Sequence, residues 1–516
     1  MRLHTRISKH NHSCCIFSAT LQSPSFRSSF MVFSSLTFIH VFLPSVFVGY
    51  YLLLYLLSIF KIRALAVPNA FLLMFSVAFY AYGEPRNAIV AALVTMVAFA
   101  SAFIVGPRPS SPPAVSGQAS RARSFGLVVC VSVLIAPLIY YKYNRYLSFI
   151  HPSLMSASGV LLPLGISFFT FQAISYVVDV FRGEARPTAS PVSLLLYIFF
   201  FPQLIAGPIV RYVDVEAALK CRQHSLAAIA TGIRRFAIGL GKKVLLANTL
   251  SGAADAAFSA PSQVACLTAW AGLLAYSLQL YLDFSGYSDM AIGLGEMFGF
   301  SLPENFNNPY SSTSITEFWR RWHITLSEWF RDYLYVPLGG NRCGAVRTTI
   351  NLWVVFALCG LWHGPDATFL AWGLFHGLFL SIERLVKPLR VSVPRLVGWV
   401  WTCAVISMGW VIFRSPDVGS AEDFFQALIS LGDATRTGFV LTPEEGVAFA
   451  VGSLLCVPAV HLAVKQFITA GSFNKSAGVT HRVMSLIMMW VTASLLYASS
   501  CVLASGASNP FIYYRF

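Results

Sequence analysis

"FWRRWHITLSEWFRDYLYVPLGGNR", residues 318–342, packs four arginines, one histidine and three tryptophans into 25 positions. The chain around it is 516 residues long, 56% apolar and only 11% charged, against about 25% charged in a typical soluble protein. So much charge in so apolar a chain is explained by where the chain resides. Segments apolar enough to cross about 30 Å of hydrocarbon recur from end to end. They are residues 36–60, 64–82, 88–105, 125–141, 160–180, 268–282, 351–362, 368–382, 396–413, 447–464 and 483–503. These predict an all-α polytopic membrane protein of roughly ten to twelve spans, some of them short or broken.

The net charge of +15 would suggest a nucleic-acid partner in a soluble protein. Here Lys and Arg sit mainly in connections, the pattern of cytoplasmic loops, and no nucleic acid is expected. Lys61 and Arg63 follow the first span, and Arg108, Arg121 and Arg123 follow the third. Residues 84–86 between them carry no cationic excess. The first span therefore starts outside, and both basic loops face the cytoplasm. From Lys142 and Arg145 onward the charges no longer define an orientation.

The ten cysteines are scattered except for Cys14 and Cys15, with no C-x-x-C pair. They read as small buried hydrophobes, and neither metal nor cofactor is expected. Residues 1–30 are polar and basic and make a poor signal peptide. His10 and His12 there read as tail residues rather than metal ligands. Met31 opens the apolar sequence, so residues 1–30 are expected to be a disordered extension or to precede the true start. One membrane domain then covers 31–516. Residues 106–123, rich in Pro and Ser, form a loop, and the tail "NPFIYYRF" suits an interfacial anchor.

Two apolar runs carry features of broken helices. "LYIFFFPQLIAGPIVRY" is interrupted at Pro202, Gly207 and Pro208, and "YLDFSGYSDMAIGLGEMFGF" holds Asp283, Asp289 and Glu296 among glycines. Irregular backbone and carboxylates at membrane depth must face protein or a wet cavity. A polar chamber or funnel is the expectation.

In the opening stretch, Ser314 and Glu317 form a capping-box pattern that starts a helix before Phe318. Continued, Phe318, Trp322, Leu326, Trp329 and Tyr333 share one face, and His323 lies on a neighbouring one with Arg320 at i−3. Pro337, Gly339 and Gly340 end the helix. Two readings fit. One is a structural interfacial helix with a hydrogen-bonded histidine. The other is a helix lining the mouth of the chamber, its arginines receiving an anionic substrate.

A second histidine bears on the choice. His363 sits in apolar sequence beside Gly364 and Pro365, where an imidazole costs free energy unless it is paired or works in a cavity. Imidazole is also the side chain suited to proton transfer near neutral pH. His376 lies in a smoother helical pattern and reads as a satisfied packing residue. No G-x-S-x-G, Walker A, G-x-G-x-x-G or H-E-x-x-H pattern occurs in the sequence. Histidine-centred acyl or proton transfer is the chemistry left. The rival is a transporter that passes an acyl group without reacting it.

Four stretches together resemble the membrane-bound O-acyltransferase family, in particular its bacterial alginate O-acetylation branch. They are "FFPQLIAGPIVRY" (200–212), "LDFSGYSDMAIGLG" (282–295), "NFNNPYSSTSITEFWRRWHITLSEWFRDYLYVPLGGNR" (305–342) and "LWHG" (361–364). The resemblance covers residues 31–516. It implies a ring of tilted helices, with re-entrant and interfacial pieces, around a membrane-embedded funnel. It implies His363 as the catalytic residue and His323 as a second functional position, with Asp283, Asn308 and Arg320 as weaker substrate-lining candidates. It further implies acetyl-CoA as a cytoplasmic donor and an acceptor on the far side of the inner membrane. The acceptor would be alginate, or else cellulose, peptidoglycan or another cell-wall polymer. Membrane lipid, a periplasmic acetyltransferase and polysaccharide-synthesis proteins are the implied partners. The chain has no segment suited to gripping a long sugar polymer, which favours a relay to a separate periplasmic enzyme.

Overall fold

The structure, a computed structural model, describes residues 31–62, 65–106, 121–150, 162–386, 393–431, 438, 440–469, 479–506 and 509. The expectations for the first thirty residues, for most of the Pro/Ser-rich loop and for most of the aromatic tail fall outside these, but residues 121–123, expected in the loop, already belong to a helix. Helices α1 (Phe38–Ile59), α2 (Ala66–Gly83), α3 (Pro85–Val105) and α4 (Arg121–Ile150) come first. Their outer faces are apolar: Leu93 is 61% exposed and Ile104 64%. Such a surface would drive aggregation in water but matches lipid tails.

Next come α5 (Ile166–Arg182) and α6 (Pro191–Phe199). Helix α6 stops where expected, because Pro202 and Pro208 lack N–H donors and the chain runs on as turns. Then follow α7 (Tyr212–Lys220), α8 (Leu226–Gly241), α9 (Asn248–Ser259) and α10 (Cys266–Met297). Helix α10 corrects a sequence reading: it runs unbroken for 32 residues through all three carboxylates. Its glycines serve packing instead. A Cβ at Gly293 would lie 2.5 Å from the Gly232 carbonyl oxygen, and one at Gly286 2.7 Å from that of Gly239. Backbones of α8 and α10 thus touch at two levels, as small residues allow between membrane helices. Two of the carboxylates, Asp283 and Asp289, are ion-paired across the same seam. Asp289 meets Arg235 at 3.0 Å and Lys242 at 2.8 Å, and Asp283 meets Lys243 at 2.7 Å.

The remainder comprises α11 (Ile315–Arg321), α12 (Ile324–Phe330), α13 (Gly344–His363), α14 (Ala367–Val386), α15 (Arg395–Arg414), α16 (Val418–Ile429), α17 (Pro443–Leu455), α18 (Pro458–Thr469) and α19 (Val479–Ala504). Among the described residues, eight helices are long and apolar enough to cross a membrane, or nine if α17 and α18, bent by 84°, make one broken span. That is fewer than the ten to twelve expected. The expected spans at 160–180 and 268–282 fall on α5 and α10, which are mostly buried among other helices, although the first turns of α10 expose Leu267, Trp270 and Leu274.

Helices α13, α14 and α15 run back and forth, and their two ends differ in charge. Arg342, Arg347, Arg384 and Arg395, with Glu383 among them, mark one end, and Asp366, Asp417, Glu422 and Asp423, with Arg414, the other. An excess of cations marks the cytoplasmic side, so His363, at the acidic end of α13, lies toward the outer face.

Candidate active site

Ser314 caps α11 as its sequence predicts, its Oγ accepting from the Glu317 N–H at 3.1 Å. The Glu317 carboxylate reaches back to the Thr313 N–H at 2.8 Å. The helix does not continue to Pro337, however. It ends at Arg321, and His323 adopts φ 43° and ψ 55°, the left-handed region. A non-glycine residue held there stores about 1–3 kcal/mol and persists only when its surroundings dictate it.

Asn305 supplies those surroundings. Its carbonyl accepts from the Ile324 N–H at 2.9 Å, and the neighbouring Asn307 N–H donates to the Arg321 carbonyl at 2.9 Å. The Asn305 Oδ1 lies 2.9 Å from His323 Nδ1 and also accepts from Thr325 Oγ1 at 2.9 Å and Thr325 N at 3.4 Å. An atom that receives a backbone N–H is the amide oxygen. His323 Nδ1 must therefore carry a proton, which leaves the lone pair on Nε2.

Helices α11 and α12 form a re-entrant hairpin with His323 at its tip. At the base, Ile315 and Thr316 N–H groups donate to Glu383 at 2.9 and 3.2 Å, near the end of α14. After α12, the carbonyls of Leu338 and Gly340 accept from Asn351 Nδ2 near the start of α13. The tip reaches the opposite end of α13, where the His323 and Trp362 rings are 6.2 Å apart.

The hairpin sorts its side chains. Trp322 stacks on Phe318 with centroids 5.5 Å apart, and Trp329 lies 3.7 Å from Phe171 and donates Nε1–H to the Phe171 carbonyl. Phe318, Trp322, Leu326 and Trp329 are buried, so the expected face is inward although the helix is broken. Arginines point away: Arg321 pairs with Glu317 at 2.7 Å, Arg331 with Asp332 at 2.7 Å, and Arg320 and Arg342 are exposed. An anion reaching the buried centre would not meet them there.

His363 ends α13, 5% exposed, packed edge-on against Trp362, Trp372 and Phe413 with centroids 4.9, 5.1 and 5.2 Å away. Trp362 is thus the common neighbour of both histidines. The orphan carbonyls of this helix end are capped from α4: Tyr143 Oη donates to Leu361 O and Lys142 Nζ to Trp362 O.

The structure therefore brings His323 and His363 together. Asn308 is buried with φ 48°, and its amide has no hydrogen-bond partner among the described residues. Asp283 stands in its ion pair with Lys243, and Arg320 stands apart on the exposed side of α11. His376 is fully buried against Trp319 and Trp372, both at 5.0 Å, but neither ring nitrogen has a hydrogen-bond partner among the described residues. It packs, as expected, without the expected hydrogen bond. Sequence reasoning missed Asn305 and Lys142. Asn305 stood inside a quoted motif, and Lys142 was legible as a cation closing an apolar run.

The family model for the membrane-bound O-acyltransferase family matches residues 168–414. This covers the re-entrant hairpin and α13. The chain is 37% identical over 512 residues to the probable alginate O-acetylase AlgI of Pseudomonas putida, covering 94% of this chain and 100% of that protein. It is 41% identical over 413 residues to the protein of the same description from Pseudomonas aeruginosa, covering 78% and 75%. To the peptidoglycan O-acetyltransferase of Helicobacter pylori it is 34% identical over 535 residues, covering 94% and 98%. With both histidine motifs placed together at the centre of a helical membrane protein, this chain belongs to the membrane-bound O-acyltransferase family.

Proposed function

We propose that the chain is the membrane subunit of an O-acetylation system. It takes acetyl from a cytoplasmic thioester, acetyl-CoA, and delivers it for O-acetylation of an exopolysaccharide, with alginate the favoured polymer. The observation that carries this reading is the meeting of His323 and His363 at Trp362, the first on the hairpin tip and the second at the end of α13. The similarity to the probable alginate O-acetylases of Pseudomonas supports the acceptor.

His363 acts as general base. It removes the proton from an acceptor hydroxyl as that oxygen attacks the thioester carbonyl carbon, and it returns the proton to the departing thiol. His323, held by Asn305, positions and polarises the reacting groups. One observation supports exchanging the two roles. The Asn305 hydrogen bond orients His323 with Nε2 as its basic nitrogen, the arrangement a general base uses. A separate periplasmic acetyltransferase completes transfer to the polymer, and the chain resides in the inner membrane.

A second acceptor, peptidoglycan, is suggested by the Helicobacter pylori relative. Purified protein in detergent, given acetyl-labelled CoA and short oligosaccharide acceptors, tests the chemistry where no gradient exists. Loss of label from CoA that depends on both histidines supports acyl transfer. Label retained on CoA under every condition returns the chain to the transporter reading.

A further inference from the structure

Lys142 is a buried lysine with an unusual environment. It belongs to α4, outside residues 168–414 and outside every stretch that carries the family resemblance. Only 7% exposed, it pairs with no carboxylate among the described residues. Its Nζ donates to the Trp362 carbonyl and lies 5.7 Å from the centroid of the Trp362 ring. His363 is the next residue along α13. An ammonium has three donors, and one carbonyl satisfies one of them. A cation buried with so little compensation is costly to the fold, and such groups at membrane depth mark functional sites.

A second donor stands beside it. The indole N–H of Trp362, 7% exposed, has no hydrogen-bond partner among the described residues. Indole nitrogen only donates. Two buried donors next to a histidine therefore call for an electronegative atom that arrives with the substrate.

We infer that Lys142 is the electrostatic catalyst of the acyl-transfer step, its ammonium facing the acyl carbonyl oxygen beside His363. This rests on the acyl-transfer reading above. As the acceptor oxygen bonds to the carbonyl carbon, the C=O π pair moves onto oxygen and the histidine takes the hydroxyl proton. The oxyanion is then stabilised by Lys142, with the Trp362 N–H as second donor. When the oxyanion collapses, the C–S bond breaks, and the thiolate leaves with the proton from the imidazolium. Fixed charge aimed at a developing oxyanion in a water-poor site is the largest single source of catalysis in acyl transfer. The bond to the Trp362 carbonyl fixes the ammonium to the same helix turn as His363, so donor and base keep register.

The test uses full-length protein in detergent and single-turnover acetyl release from labelled acetyl-CoA. Lys142→Met keeps the length and removes the charge, Lys142→Arg keeps the charge, and Tyr143→Phe removes the neighbouring cap without touching charge. Expected are a fall of about 10²–10³ in the single-turnover rate for Lys142→Met with the half-saturating donor concentration within about threefold, at least tenfold recovery in Lys142→Arg, and a near-normal rate in Tyr143→Phe. If Lys142→Met stays within threefold of wild type, the assignment is overturned. If Tyr143→Phe loses as much as Lys142→Met, capping of α13 accounts for both and the assignment is again overturned. A wild-type protein that releases no acetyl group removes the acyl-transfer reading itself, a result distinct from either.

Discussion

Asn305 Oδ1 lies 2.9 Å from Nδ1 of His323, and this contact decides both the backbone and the tautomer at the hairpin tip. The same oxygen gathers Thr325, and the same residue's carbonyl gathers Ile324. Asn305→Ala would free the tip and leave buried donors unpaired, each worth about 1–3 kcal/mol. Turnover should fall about ten- to a hundredfold, while Asn305→Asp, which keeps an acceptor oxygen, should stay closer to wild type. Steady-state acetyl transfer at matched protein level checks this. Equal activity in Asn305→Ala would show that His323 needs no orientation.

The two histidines are separable by rate. A general base contributes about 10²–10⁴, so His363→Gln should lose that much and His323→Gln should lose less. The reverse ranking would pass the base role to His323, whose Nδ1 is already held by Asn305. Single-turnover rates of both variants, measured with excess donor, give the ranking directly.

Packing of α8 on α10 makes a stability prediction. A Cβ at Gly239 would come 2.5 Å from the Gly286 carbonyl oxygen, whereas one at Gly446 would meet nothing within 4 Å. Gly239→Ala should therefore destabilise by about 1–3 kcal/mol, the usual range for overpacking, and Gly446→Ala should be near neutral. Thermal unfolding in detergent would show a lowered midpoint for the first variant alone. Equal midpoints would mean that α8 and α10 separate without penalty.

Charge asymmetry along α13–α15 makes a topology prediction. Cys343 is exposed at the arginine-rich end, and Val418, beside Asp417, is 57% exposed at the acidic end. In a background freed of other cysteines, an impermeant thiol reagent applied to intact spheroplasts should spare Cys343 and label Val418→Cys. Labelling of Cys343 from outside would invert the orientation argued from the cations.

Much of this architecture was legible in the sequence, and the failures lie where tertiary contacts override the local pattern. Helical apolar segments and the two histidine motifs are local patterns. His323 and His363 could be singled out without coordinates because polar residues in apolar sequence are costly. The break at His323 was not legible: spacing from Phe318 to Tyr333 is helical throughout, and no glycine signals a left-handed turn. The turn is imposed by Asn305, which acts through tertiary contact. The glycines of α10 misled for the opposite reason. They read as breakers, yet they admit the backbone of α8 and leave the helix intact. Lys142 resembled a charge at a span boundary because its partner, the Trp362 carbonyl, is 220 residues away.

The central claim is that acetyl transfer runs through the histidines that meet over Trp362. Its most direct test is polymer acetylation in cells lacking this gene, complemented with wild type or His363→Ala at equal membrane abundance. The prediction is normal polymer yield in both, with acetyl groups restored by wild type and absent with His363→Ala. Full acetylation with His363→Ala would contradict the claim and reduce His363 to a packing residue at the end of α13.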